Sequence, residues 1–331
     1  MGNCFTCNLQ TNEPVNPETI SDSKKDTDDV KNTTVKDTIE LSIKIPDTNT
    51  TIPIPITPTY ITQKVALKLP NGKTCLLYNE IKQDFIYSEN INKWIKSLYD
   101  SSHWTGWLVY NDEAEDIGYK AHKKGHCKGI LAWNDTHISW LVHSVPNFPR
   151  EFNGASISDI ENSELIYGQS FLYIENVCDT NFLEKAISQI YHMEANIYMK
   201  HNDLCKITIK DDKLHTLLFS NAIIHFSKSP HCEIDIYSEH IIKYETCTWY
   251  VETWKRGHEI KTNTNVVEIK NIQWKNISYK ESQDHSKWAI SDTYYWIGDL
   301  NRMTSQYKRG GGGFLIKNKE ISNAFRKLIL N

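Results

Sequence analysis

From residue 61 onward the chain alternates between short apolar runs and clusters of turn-forming residues. Runs of roughly four to eight apolar-rich residues with such flanks read as strands. They fall at 73–80, 105–112, 129–135, 137–145, 170–177, 206–211, 248–254, 293–300 and 312–317. Three longer stretches, 90–102, 181–194 and 318–330, space their apolar residues at helical intervals. The segment 226–245 fits either template. Strands interspersed with helices in this way predict an α/β or α+β architecture.

Residues 1–60 break the pattern. They contain no tryptophan, two aromatic residues (Phe5 and Tyr60), six of the ten prolines, and nine acidic against five basic residues. Such a segment lacks the apolar surface needed to offset the entropy of ordering, so it reads as a disordered acidic leader. Only 39–46, "IELSIKIP", alternates well enough to suggest a strand. The rest of the chain is charge-balanced, and the whole carries a net charge of −4 with a pI near 6.4. A polyanion site would therefore be a local concentration of charge and not a basic coat. No apolar run reaches the ~18 residues of a membrane span, and no secretory signal pattern stands at the start.

Two segments carry the candidate chemistry. "GHCKG" opens the first with His126 and Lys128; "DHSKW" opens the second with His285 and Lys287. Residues i and i+2 of an extended strand share a face, so each pair presents an imidazole and an ammonium together. The pairs lie 159 residues apart, the signature expected of a duplicated half-domain. His-x-Lys is weak alone, and His122-Lys123-Lys124 matches it too. A phosphodiester can be cleaved in two displacements if one histidine attacks phosphorus, a second protonates the leaving oxygen, and lysines bear the charge of the equatorial oxygens. No Asp, His or Cys cluster has metal-ligand spacing, so no cofactor or metal is expected.

The words around these pairs resemble the deoxyribonuclease II family: "GHCKG", "WLVHSVPNFP", "YGQSFL", "DHSKW", "IGDLNR" and "RGGGG", in order, from about Ile61 to the C-terminus. The resemblance implies a phospholipase D-like pseudo-dimer of two mixed sheets flanked by helices. Its halves are expected at 61–195 and 196–331, after the leader at 1–60. It further implies metal-independent cleavage of DNA to 3′-phosphate ends. His126 is the expected nucleophile and His285 the acid/base, with the reverse assignment open. Lys128, Lys287, Asn301 and His143 are expected around the phosphate, with Arg309 and Lys124 as further DNA contacts. Asp292 completes a His-x-Lys-x₄-Asp pattern like that of phospholipase D and is a weaker candidate. Two other readings keep part of the picture: a phosphodiesterase acting on lipid, and an inactive DNA-binding relative.

The chain departs from that family in its address. Family members are usually secretory, with disulfides, and two of their common cysteine positions here hold Ala289 and Ile316. This favours a reducing, cytoplasmic compartment, with a lysosomal or secreted location as the alternative. "MGNCFT" matches an N-myristoylation signal at Gly2, with Cys4 placed for palmitate, so a membrane-anchored enzyme is expected.

Overall fold

Strands that are apolar along nearly their whole length need cover on both faces, and the fold supplies it. The structure, a computed structural model, describes residues 61–100, 104–114, 124–202, 211–254 and 263–329. The first part runs β1 (Thr62–Lys68), β2 (Cys75–Asn79), β3 (Asp84–Ser88), α1 (Ile91–Ser97), β4 (Gly106–Asn111), β5 (Lys128–Trp133), β6 (His137–His143), β7 (Gln169–Val177), α2 (Thr180–His192) and β8 (Ile197–His201). The second runs β9 (Leu214–Leu218), β10 (Ile223–Lys228), α3 (Ile236–Glu239), β11 (Trp249–Glu252), β12 (Val266–Glu268), β13 (Asn271–Trp274), β14 (Ile277–Lys280), β15 (Trp288–Ile290), β16 (Tyr294–Gly298), β17 (Gly311–Lys317) and α4 (Lys319–Arg326).

These strands form an eight-stranded sheet, β3-β2-β1-β7-β6-β5-β4-β8, and a seven-stranded sheet, β12-β11-β15-β16-β17-β10-β9. Every pairing in them is antiparallel except β11 with β12. β13 and β14 make a separate hairpin. With four α-helices among the described residues beside large antiparallel sheets, the fold is α+β. The run β4-β5-β6-β7-β1 in the first sheet has the same order and sense as β11-β15-β16-β17-β10 in the second.

Side-chain alternation assigns the layers. Ile138, Trp140 and Val142 of β6, with Leu172 and Ile174 of β7, enter one core together with Tyr295, Ile297, Phe314 and Ile316 of the second sheet. Leu141, Phe171 and Tyr173 point the other way, under α1. Trp296 and Leu315 likewise leave the shared core for the layer beneath α3. Trp140 is the clearest link between sheets. Its indole stacks on His225 at 4.3 Å, meets Phe314 edge-on at 5.4 Å, and donates from Nε1 to the Tyr110 hydroxyl at 2.8 Å. Side-chain caps from Asn90, Asp179 and Asn318 start α1, α2 and α4.

The ambiguous segment 226–245 resolves into the end of β10, α3 and a 3₁₀ turn at Ile241–Tyr244. The calls at 39–46 and on the leader lie outside the described residues, as does nearly all of 206–211. The glycine run, which alone would read as a flexible loop, is buried strand: Gly311–Gly313 open β17. A Cβ on Gly312 would stand 2.2 Å from the Phe226 carbonyl, so the glycines are there for lack of room. Among the described residues no helix is long and apolar enough to cross a membrane.

Since Trp140 fills the space between the sheets, Trp140→Ala should lower unfolding stability by about 3–5 kcal/mol. A urea melt checks this; a loss under 1 kcal/mol would show that the sheets close over the gap.

Candidate active site

Antiparallel order puts the C-terminal ends of β4 and β6 beside the N-terminal ends of β5 and β7, and does the same for β11, β16, β15 and β17. The two sets of ends meet at a cavity of about 290 Å³ lined by Glu113, His126, Lys128, Ser144, Pro146, Tyr167, Trp254, His285, Lys287 and Asn301. Both predicted His-x-Lys pairs therefore line one cavity. Cys127, between the first pair, points into the shared core. Its thiol is free, as are those of Cys75, Cys178, Cys232 and Cys247.

Each histidine is held by the opposite half of the chain. The His126 amide donates to the Gly310 carbonyl at 2.7 Å, at the head of β17. The His285 amide donates to the Gly168 carbonyl at 2.8 Å, at the head of β7. The lysine amides follow suit: Lys128 donates to Asp299 Oδ1 at 3.3 Å, and Lys287 to the Ser170 hydroxyl at 3.2 Å.

The His126 ring is fixed as well as its backbone. Its Nδ1 lies 2.7 Å from the Asp299 carbonyl, which accepts only, so Nδ1 carries the proton and Nε2 keeps a lone pair. The loop that presents Asp299 is held by two further contacts. The Tyr237 hydroxyl donates to the Leu300 carbonyl at 2.6 Å, and Arg302 Nε donates to Asp235 at 3.0 Å. Burial, followed by the nearby Lys128, Lys287 and Arg309, outweighs Asp112 and lowers the His126 pKa to about 3. Burial thus favours the neutral imidazole.

Around His126 the charges interlock. Asp112, at the end of β4, accepts from the Lys128 ammonium and, at 2.9 Å, from Arg309 Nη2. Glu113 lies 3.5 Å from the same ammonium. Burial works against both charges of the buried pair. Asp112 and Glu113 nevertheless hold the Lys128 pKa above its ordinary value, and Lys128, His126 and Arg309 hold Asp112 below its own. Lys287 has less support: burial, then Lys128, brings it down to about 8.

The His285 end is aromatic. Its ring stacks on Tyr167 with centroids 4.2 Å apart and planes 9° apart, and Trp254 meets it edge-on at 3.9 Å. Tyr167 and Trp254 also touch each other at 5.0 Å. One end of the cavity is thus lined by ions and the other by rings.

Four predicted residues sit elsewhere. His143 is buried off the cavity, its ring between Phe148 and Phe171, and burial lowers its pKa to about 3. Its neighbour Ser144 lines the wall instead, donating to Gln169 at 2.6 Å. The Arg309 guanidinium binds Asp112 and the Lys124 carbonyl, one layer behind the cavity. The Lys124 side chain is exposed outside the lining. Asp292 is no part of the site: it lies exposed in the β15–β16 turn and pairs with Arg326 at 3.0 Å. Gly2 and Cys4 lie outside the described residues. Asn301 does line the cavity, where its Oδ1 has no hydrogen-bond partner. The residues missed in the sequence are Asp112, Glu113, Ser144, Tyr167, Trp254 and the main chain of Asp299. Asp112, Glu113 and His126 place ligand atoms within 4.8 Å of one another, but Lys128 and Arg309 already engage the Asp112 carboxylate.

The chain matches a family model described as Deoxyribonuclease II over residues 78–331. It is 32% identical over 272 residues to deoxyribonuclease-2-beta of Mus musculus, covering 72% of this chain and 75% of that protein. To cell-death-related nuclease 7 of Caenorhabditis elegans it is 25% identical, covering 68% and 67%. To a putative deoxyribonuclease-2 of Burkholderia thailandensis it is 27% identical, covering 68% and 71%.

Three buried histidines, His126, His143 and His225, are lowered to about 3 by burial. A group lowered on folding binds its proton more readily in the unfolded chain, whose histidine titrates near 6.5. The stability it contributes is full above about pH 6.5 and drains as pH falls toward 3. Asp284 and Asp299, raised by burial, work in the opposite sense, so a single substitution away from the cavity is the cleaner readout. His225→Gln should gain about 2 kcal/mol on its parent between pH 7 and pH 5, measured by urea unfolding. A difference independent of pH would show that His225 is not held neutral.

Proposed function

The chain belongs to the deoxyribonuclease II family, and from that premise we propose that it is a DNA nuclease acting through a phosphohistidine. The carrying observation is the His126 ring, neutral by burial and held through Nδ1 on the Asp299 carbonyl, in the cavity that His285 also lines. His126 Nε2 attacks phosphorus, and the P–O5′ bond breaks as His285 gives its proton to the leaving oxygen. His285 then takes a proton from water, the resulting hydroxide displaces Nε2, and the 3′-phosphate leaves with His126 neutral again. Lys128 and Lys287 hold the equatorial oxygens, whose charge grows in each transition state. The matched strand orders of the two sheets support a phospholipase D-like pair of half-domains.

The address is part of the same proposal. Acylation at Gly2 and Cys4 would hold the enzyme on a membrane, since a single myristoyl chain binds only marginally and a second makes anchoring stable. In the native host, Gly2→Ala should release the protein to the soluble fraction with cleavage unchanged; retention on membranes would refute the anchor.

His126→Ala and His285→Ala should each reduce plasmid cleavage in EDTA by at least a thousandfold, with the circular dichroism of the parent. End-labelling should find 3′-phosphate and 5′-hydroxyl termini. The rate should follow a bell against pH, because one histidine acts neutral and the other protonated. Substantial turnover in either variant, 5′-phosphate ends, or an absolute need for a divalent ion would overturn the mechanism.

A further inference from the structure

Two lysines that no catalytic step uses are buried at matching positions in the two sheets. Lys68 closes β1 and Lys228 closes β10, and both are fully buried. In register, Lys68 lies opposite Gln169, the first residue of β7, and Lys228 lies opposite Gly311, the first residue of β17. Each ammonium donates to the carbonyl of the residue that follows it: Lys68 to Leu69 at 2.9 Å, Lys228 to Ser229 at 3.4 Å. Each also donates to the carbonyl four residues before its strand partner: Lys68 to Leu165 at 2.8 Å, Lys228 to Tyr307 at 2.7 Å. A third acceptor completes each set, Gly72 at 3.2 Å for Lys68 and Arg309 at 2.8 Å for Lys228.

The loops bound in this way are those that cross to the other half. The Lys228 loop ends in Arg309, whose guanidinium holds Asp112, and Gly310, whose carbonyl holds His126. The Lys68 loop ends in Tyr167, which stacks on the His285 ring, and Gly168, whose carbonyl holds His285. A buried ammonium stripped of its acceptors is costly, so each charge resists any movement of its loop. The glycines leave no slack either, since a Cβ on Gly310 would stand 1.9 Å from the Met193 carbonyl.

We infer that Lys68 and Lys228 are paired positioning residues, each fixing the loop through which its own half of the chain orients the catalytic histidine of the other half. Lys228 acts on His126, and Lys68 acts on His285. The role deepens the proposed nuclease reading, yet the orientation of the rings can be observed without turnover.

The test uses the full-length chain labelled with [¹⁵N]histidine, with the two ring signals assigned by His126→Gln and His285→Gln. Lys228→Met should shift the His126 ring nitrogens and leave those of His285 in place; Lys68→Met should do the reverse. On supercoiled plasmid, each variant should lose about ten- to a hundredfold in kcat with KM within twofold. Lys→Gln, which keeps a donor, should restore part of both readouts. Shifts in both histidines from either lysine, or in neither, would overturn the inference, as would global unfolding of both the Met and the Gln variants. A parent chain that fails to cut DNA would refute the nuclease reading, while the crossed pattern of ring signals would still decide this one.

Discussion

The site depends on a reciprocal exchange of main-chain hydrogen bonds. The head of β17 offers the Gly310 carbonyl to His126, and the head of β7 offers the Gly168 carbonyl to His285. Neither sheet completes its own histidine. The shared core beneath, where Trp140 reaches across to His225 and Phe314, joins the two sheets that make these exchanges. Interiors packed at crystal-like density transmit displacement instead of absorbing it.

Charge separates two ends that the backbone makes alike. The carboxylate of Asp112 gives Lys128 a buried counter-ion and gives Arg309 a reason to lie behind it. The equivalent strand end in the second sheet, after β11, brings Trp254 to the cavity, and the equivalent of Arg309 is Tyr167. Lys287, lowered to about 8, therefore faces the cavity with less of its charge compensated than Lys128. A buried ion pair is a weak source of net stability, so the value of Asp112 lies in fixing an ammonium that would otherwise be lowered by burial.

Much of this was legible in the sequence, for physical reasons that can be named. Period-two alternation put His126 with Lys128, and His285 with Lys287, on common faces, and all four line one cavity. The apolar runs located β2, β4, β5, β6, β7, β11, β16 and β17 because strands buried on both faces need little polar content. β1 escaped notice because "TQKVALK" mixes polar and apolar positions, with a lysine at its buried end. Asp112 and Glu113 were hidden because Asn-Asp at the end of a run reads as an ordinary turn. The contribution of Asp299 could not be read at all, since the group that orients His126 is a carbonyl common to every residue type. Asp292 shows the converse error: a spacing was matched, but the β15–β16 turn carries that residue to the surface.

The unlike ends of the cavity give it a direction. Two ends built alike would present the same groups to a bound molecule in either orientation. Replacing ions with rings at one end removes that equivalence. Glu113 and Lys128 at one end, against Tyr167 and Trp254 at the other, make the two directions along the cavity chemically distinct.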